Sequence, residues 1–177
     1  MNRERQRGFS LIELLMAATV FTFVAAGVSG LFVAALNLQR RAVSIQRIEE
    51  NALFVLESIA REVRVSIVTS GDTDCMPPDL ASRELAIEHP VNGSILYRYE
   101  TLGGIGRITR NGEALTTEDV NVTAFAFCVS GAGPDDMQTR VTIPLTLEST
   151  DGRQDTHAAT SLQTTVVSRD LSVDLTQ

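Results

Sequence analysis

The sequence predicts an α+β protein in which one long N-terminal helix packs against an antiparallel β-sheet. Residues 14–36 are a run of 23 residues without a charge, and residues 38–67 continue with apolar side chains every three or four positions. Strand-like segments separated by turn residues then occupy most of residues 85–168. The 177 residues suit one modest domain with an extension.

The uncharged run predicts a membrane segment, because as a helix it would extend roughly 35 Å and cross a hydrocarbon layer of ~30 Å. Arg3, Arg5 and Arg7 precede it, and the positive-inside rule therefore predicts a cytoplasmic leader with the rest of the chain outside. A cleaved secretory signal would have a shorter apolar region of about 7–15 residues. A lipoprotein signal would need a cysteine directly after the run, and the first is Cys75. A simple signal anchor fits the hydropathy but leaves Glu13 unexplained.

Glu13 is the only charged residue between Phe9 and Arg40. A carboxylate placed in lipid costs on the order of 2–3 kcal/mol or more. Glu13 therefore either lies at headgroup depth and is solvated or acquires a cationic partner. The residues around it, RGFSLIELL at positions 7–15, resemble the type IV prepilin signature, in which a basic leader ends in Gly, a Phe follows, and a Glu comes four residues later.

The resemblance implies a maturation pathway. Prepilin peptidase would cut between Gly8 and Phe9 and methylate the new amino group of Phe9. Glu13 would then pair with the N-terminal amine of a neighbouring subunit in the filament, which supplies the missing cation in trans. The implied partners are prepilin peptidase, other pilins or pseudopilins through the helix, and the inner membrane, crossed once with the head outside the cytoplasm.

The amphipathic segment predicts that the helix continues from about Ser10 to about Ser66, since no proline occurs before Pro77. Its apolar stripe does not keep a strict heptad, which favours packing on a sheet of the same chain over a coiled coil. The stripe comprises Leu38, Ala42, Ile45, Ile48, Ala52, Leu56, Ile59, Val63 and Ile67. The predicted organisation is a cleaved leader (1–8), a transmembrane or filament-core helix (9–37), an amphipathic helix (38–67) and an antiparallel β head (68–177).

The head is predicted to begin with a turn-rich loop over residues 68–84. Six strands follow at 85–89, 95–101, 105–110, 120–129, 140–148 and 158–168. Asn111-Gly112 predicts a tight turn, and Asp151-Gly152 lies in the last connection. Pro144 cannot donate to a β-ladder, so its strand is expected to be an edge strand or to carry a bulge.

Further resemblances concern the subtype. Residues 47–66 look like the outer helix of the J-type minor pseudopilins of type II secretion and the W-type minor pilins, and residues 95–100, 107–127 and 140–149 are similar in pattern to their sheet regions. The resemblance implies a pilin-like fold and a minor pilin or pseudopilin with an initiation, tip or adaptor role. The alternative is a single-pass, membrane-anchored extracytoplasmic binding module that does not assemble.

Composition and motifs argue against other functions. The net charge is −7, which is unfavourable for direct nucleic-acid binding. HExxH, GxSxG and phosphate-loop motifs are absent from the sequence, so no enzyme is predicted and no cofactor is expected. Residues 103–106, GGIG, are expected to form a hairpin turn rather than a phosphate site.

Two features of the head leave alternatives open. Asp72, Asp74 and Asp79 are weak candidates for calcium ligands, a solvated acidic loop being the favoured interpretation. Cys75 and Cys128 are predicted to form a disulfide outside the membrane, the alternative being two separate thiols.

Overall fold

The computed structural model describes residues 9–73, 81–132, 138–150 and 157–169. It divides into two compact units, residues 1–40 and residues 41–177. Helix α1, Leu11–Arg64, is a single helix of 54 residues that contributes to both. The predicted long helix is therefore confirmed, as is the α+β fold class.

The described part of the first unit is apolar helix surface. Its side chains are exposed except for Leu36, which is partly buried. Hydroxyl groups do not interrupt this surface, because Thr19, Thr22 and Ser29 each donate to the carbonyl four residues earlier, at 2.6, 2.8 and 2.8 Å. An apolar surface of this extent requires lipid or other helices around it.

The described residues of the second unit form two antiparallel sheets. The first has the order β1-β2-β3-β4-β5, and in the second β8 lies between β9 on one side and β6 and β7 on the other. The first sheet consists of β1 (Ile67–Val68), β2 (Glu84–His89), β3 (Gly93–Leu102), β4 (Ile105–Arg110) and β5 (Glu113–Ala114). The second consists of β6 (Val120–Phe125), β7 (Cys128–Ser130), β8 (Arg140–Ser149) and β9 (Ala159–Val167).

The observed strands correct some predicted boundaries. Strands β1 and β5 were not predicted, because each is only two residues long and so shows no recognisable alternation of apolar and polar side chains. Ile67, predicted as helix, belongs to β1, because the helix ends at Arg64 and its last turn tightens through bonds from Val65 N–H and Ser66 N–H to carbonyls three residues earlier. The predicted strand 120–129 is two strands, separated by Ala126 and Phe127.

Pro144 is tolerated for a reason other than the predicted one. Its strand β8 is central, so the edge-strand expectation was wrong. Its carbonyl accepts a hydrogen bond from Ala126 N–H at 3.4 Å, in the interruption between β6 and β7. The missing proline N–H therefore faces a gap in the ladder. The bulge lies on β6 instead, where the register shifts between Val122 and Ala124.

The core of this unit lies between the outer part of α1 and the sheets. Ile48, Ala52, Val55, Leu56, Ile59, Ala60 and Val63 are the buried apolar residues of the helix. Alternation along β8 predicts its buried face correctly, with Val141, Ile143, Leu145 and Leu147 all in the core. The three N-terminal residues of the predicted apolar stripe are not part of this core, because Leu38, Ala42 and Ile45 are exposed.

The two sheets meet where β4 passes β6. Gly106 N–H donates to Asn121 Oδ1 at 2.7 Å, and the Tyr99 hydroxyl donates to the Val122 carbonyl at 3.1 Å. A Cβ on Gly106 would lie 2.0 Å from Val122 O, so only glycine permits this approach. Gly103 and Gly104, with φ of 60° and 85°, form the turn between β3 and β4, which confirms the hairpin interpretation of GGIG.

Candidate functional site

The start of helix α1 places Glu13 in its first turn. The Ser10 carbonyl accepts hydrogen bonds from Glu13 N–H at 3.1 Å and from Leu14 N–H at 3.2 Å. Ser10 N–H in turn points at Glu13 Oε2, 3.5 Å away. This is the reach-back half of a capping box, in which a Glu three residues after a Ser returns to the Ser backbone. A negative side chain in the first turn also interacts favourably with the helix dipole.

The capping contact was not predicted, although the Ser-x-x-Glu spacing at residues 10–13 is the signal that identifies it. At 3.5 Å the contact is at the long end of hydrogen-bond distances and is weak. The Glu13 side chain is exposed, and among residues 9–73, 81–132, 138–150 and 157–169 no salt bridge includes it. The carboxylate is therefore largely available to form an ion pair.

Phe9 lies directly before this turn and is 82% exposed. Gly8, the residue on the other side of the predicted cleavage site, lies outside the described residues. Glu13 is four positions after Phe9, so the predicted new amine and the carboxylate belong to the same end of the helix. Cleavage and methylation here remain predictions.

A family model described as the prokaryotic N-terminal methylation motif matches residues 3–29. This motif supports a type IV prepilin-like protein. The match includes Gly8, Phe9 and Glu13 and much of the uncharged run, whereas the outer part of α1 and the head lie beyond it. No curated protein and no solved structure gives a match to the prepilin-like chain. The J-type or W-type assignment therefore stays a prediction.

Helix α1 is the one helix of the described residues that is long and apolar enough to cross a membrane. Together with the prepilin motif, it supports a membrane-anchored protein. The motif also implies processing by prepilin peptidase and assembly with other pilins, which is the behaviour of a structural subunit.

A polar cluster ties the outer part of α1 to the first sheet. Arg110 on β4 forms a two-pronged ion pair with Glu62 on the helix, with Nε to Oε2 at 3.1 Å and NH2 to Oε1 at 3.0 Å. The Tyr97 hydroxyl on β3 donates to the same carboxylate. Tyr97 is fully buried, and the Arg110 and Glu62 side chains are partly buried, at 30% and 21% exposed. The geometry fixes the helix against the sheet as well as stabilising the contact.

Each group in the cluster has a shifted pKa. Burial alone would raise the pKa of Glu62, but the hydrogen bonds from Arg110 and Tyr97 and the Arg110 charge outweigh it, and the pKa lies below the ordinary value. Burial and the hydrogen bond to Glu62 raise the pKa of the Tyr97 phenol. The hydrogen bond to Glu62 raises the pKa of Arg110. The cluster was not predicted, because its members are far apart in the sequence and carry no common motif.

The predicted disulfide lies partly outside the described residues, which include Cys128 but not Cys75. Cys128 is disulfide-bonded in the structure. Thr73, two residues before Cys75, is bound to both neighbours of Cys128: Thr73 N–H donates to Val129 O at 2.8 Å, and Thr73 Oγ1 donates to Phe127 O at 3.0 Å. Two residues span at most about 7 Å, so the pairing with Cys75 fits this geometry and stays a prediction.

The weak calcium site at Asp72, Asp74 and Asp79 stays untested, because only Asp72 lies among the described residues. Asp72 is exposed, and its Oδ1 accepts a hydrogen bond from Ala132 N–H at 2.8 Å. Asp74 and Asp79 lie outside the described part of the chain. Within that part, no group of three or more acidic, His or Cys side chains is arranged for a metal ion.

Proposed function

We propose that the chain is a minor pilin or pseudopilin subunit of a membrane-derived filament, acting in initiation, at the tip or as an adaptor. Prepilin peptidase cuts it between Gly8 and Phe9 and methylates Phe9. One observation carries the proposal: Glu13 lies in the first turn of an apolar helix, weakly bound by its own Ser10. The prepilin motif over residues 3–29 supports the same conclusion.

The proposed assembly contact follows from the charge on Glu13. A carboxylate entering an apolar environment is unfavourable unless a cation accompanies it. Cleavage before Phe9 creates an amine at the helix end, and the amine of a neighbouring subunit is the cation that becomes available when helices pack together. Because the cost is removed only on packing, the pair favours the assembled state over the isolated subunit.

The proposed topology has the leader in the cytoplasm, one crossing of the inner membrane and the head outside. Lipid surrounds the apolar part of α1 before assembly, and helices of other pilins replace it afterwards. The head is proposed to be non-enzymatic and to contact other subunits or surface ligands. Direct binding to nucleic acid is not part of the proposal, since the chain carries a net charge of −7.

Neutralising Glu13 tests the assembly contact. Glu13→Gln keeps an oxygen that can reach back to Ser10, since Gln also occupies this position of a capping box, but it removes the charge. We expect unchanged leader removal and at least a roughly tenfold loss of filament incorporation, because breaking a desolvated pair costs several kcal/mol. Glu49→Gln, the same chemical change on the exposed outer helix, is the matched control and should assemble normally.

N-terminal sequencing of the same samples separates the two candidate functions. A mature chain that starts at methylated Phe9 supports a processed filament subunit. A chain that keeps Met1 in cells with an active prepilin peptidase would instead indicate the membrane-anchored binding module and contradict the proposal. Normal incorporation of Glu13→Gln would contradict the trans ion pair.

A further inference from the structure

Strand β9 forms an edge of the second sheet, because it pairs only with β8 among the described strands. At one end of this pairing, Ser149 N–H donates to the Ala158 carbonyl at 2.9 Å. At the other end, Ser168 N–H donates to the Thr139 carbonyl at 2.8 Å. Backbone groups alternate in direction along a strand, so the even-numbered residues of β9 face β8. The N–H and C=O groups of the odd-numbered residues therefore point away from the sheet; these residues are Ala159, Ser161, Gln163, Thr165 and Val167.

This outward side is open along the nine residues of β9. No hydrogen bond joins its outward backbone groups to another described residue. The edge is closed only beyond the strand, where Arg169 N–H donates to the Arg64 carbonyl at 3.1 Å. β9 also lacks the usual protections of an edge, since it contains no proline and no charged residue, and its register with β8 continues without a bulge. The outward groups are therefore available to another strand.

Several other strand edges of the described head are short or covered. β1 and β5, at the edges of the first sheet, have two residues each. Beyond β1, the Ser70 hydroxyl accepts a hydrogen bond from Ala86 N–H of β2 at 2.8 Å. Beside β7, Thr73 N–H donates to the Val129 carbonyl at 2.8 Å. β9 differs from these in being long and uncovered, which is the kind of edge that pairs with a strand of another chain.

A second copy of β9 fits the open edge in an antiparallel register centred on Gln163. Hydrogen-bonded pairs in an antiparallel ladder form only where both residues direct their backbone groups toward the other strand. With Gln163 opposite the second copy's Gln163, each odd-numbered residue of one strand lies opposite an odd-numbered residue of the other. Every outward group of both strands is then paired. A displacement by one residue would place odd-numbered residues opposite even-numbered ones and prevent these bonds.

The side chains on the exposed face support the same register. Within one copy, the Thr165 hydroxyl lies 3.0 Å from the Thr142 hydroxyl, and the Ser161 hydroxyl lies 3.0 Å from the Thr146 hydroxyl. The register places Thr165 opposite the second copy's Ser161, so the two hydroxyl pairs join into one row that crosses the interface. Each hydroxyl can donate once and accept twice, so a hydroxyl bonded on one side can also bond on the other. Like charges are not opposed, because β9 carries no charge.

We propose that β9 binds β9 of a second copy of this chain, antiparallel and with two-fold symmetry about Gln163. The pairing joins the second sheets of two heads into one continuous sheet. The interface is isologous, so it closes at two copies. Anchoring both copies in one membrane raises the effective concentration of their heads and thereby favours the pair. This dimer goes beyond the proposed function, because it depends neither on removal of the leader nor on Glu13.

Cross-linking between cysteines tests the register in the full-length chain in membranes. In the dimer the Cα atoms of the two copies at position 163 lie about 5.5 Å apart, so a short bifunctional thiol reagent should join Gln163→Cys copies. Thr165→Cys, on the same face, is the matched control. Its two copies lie roughly 13 Å apart along the strands and should give at least about tenfold less dimer. A mixture of Ser161→Cys and Thr165→Cys copies should cross-link efficiently, because these positions lie opposite each other.

The pattern of products distinguishes this pair from random contact between heads. Random contact would cross-link Gln163→Cys and Thr165→Cys equally, and that result would overturn the proposal. The proposal would also fail if Gln163→Cys formed no more dimer than the parent chain. The parent chain at the same time reports any reaction of Cys75 and Cys128 with the reagent.

Charges placed on the edge test the contact in a second way. In the Gln163→Cys chain, Ser161→Lys with Thr165→Lys puts lysines of the two copies opposite each other and should lower the dimer yield about fivefold. Ser161→Lys with Thr165→Glu puts a lysine opposite a glutamate and should keep the yield near that of Gln163→Cys alone. Both combinations remove the same hydroxyl contacts with β8. An equal loss of dimer in the two would therefore contradict the antiparallel pairing.

Discussion

Replacing Gly106 by alanine should destabilise the head strongly, because the new methyl group has no space. Its Cβ would lie 2.0 Å from the Val122 carbonyl oxygen and 2.7 Å from the Tyr99 hydroxyl. A carbon and a carbonyl oxygen normally remain about 3.3 Å or more apart. The obstacle is backbone in a paired strand, so β4 and β6 must separate by more than 1 Å or so.

The expected loss of stability has two parts. Overpacking of a well-filled site costs about 1–3 kcal/mol. Separating the strands also weakens the bonds from Tyr99 to Val122 and from Gly106 to Asn121, at about 1 kcal/mol each. The total is about 3–5 kcal/mol. For a chain of this size each kcal/mol corresponds to roughly 2–4 °C, so the melting temperature should fall by about 10 °C.

Thermal unfolding of the detergent-solubilised full chain, followed by near-UV circular dichroism, measures this change. The tyrosine contribution to this signal is specific for the head, because both tyrosines of the chain, Tyr97 and Tyr99, lie in β3. Gly71→Ala is the matched control: a Cβ there meets no atom within 4 Å. If Gly106→Ala melts within about 2 °C of the parent chain, less than 1 kcal/mol is lost and the close approach of β4 and β6 is not present in solution.

Three further changes probe the head. Glu62→Gln should lower the free energy of unfolding in urea by about 1–3 kcal/mol, because Arg110 loses its charged acceptor. The folded pKa of Glu62 lies below its ordinary 4.5, so the parent chain should lose the stability contributed by the ion pair as pH falls from 4.5 through the folded pKa. The Glu62→Gln variant should show no such loss. Equal acid sensitivity of the two proteins would contradict the ion pair. Ile59→Ala, at a fully buried position, should cost about 2–5 kcal/mol in the same assay, and a loss below 1 kcal/mol or so would contradict its place in the core. Cys128→Ser should lower the free energy of unfolding by about 2–4 kcal/mol through loss of the predicted disulfide with Cys75. A mass measurement under non-reducing conditions that shows two free thiols in the parent chain would refute the pairing.

Local periodicity allowed much of the fold to be predicted. The uncharged run and the apolar spacing after it predict the helix to within two residues at its C-terminal end, because helix formation depends on neighbours three and four positions apart. Alternation along β8 correctly identifies its buried side, since successive strand residues point to opposite faces. The motif around Glu13 is equally local, and the family match at residues 3–29 agrees with it.

Contacts between distant residues were decided only by the tertiary structure. Whether β8 lies at an edge or in the centre depends on β9 and on the break at Ala126 and Phe127, and nothing near Pro144 in the sequence encodes either. Glu62 becomes an anchor only because folding brings Arg110, 48 residues away, within 3.0 Å of it. The sequence by itself thus determined the helix, the strand faces and the prepilin motif. Folding determined the partners, because a long-range contact has no repeating spacing in the chain by which it could be recognised.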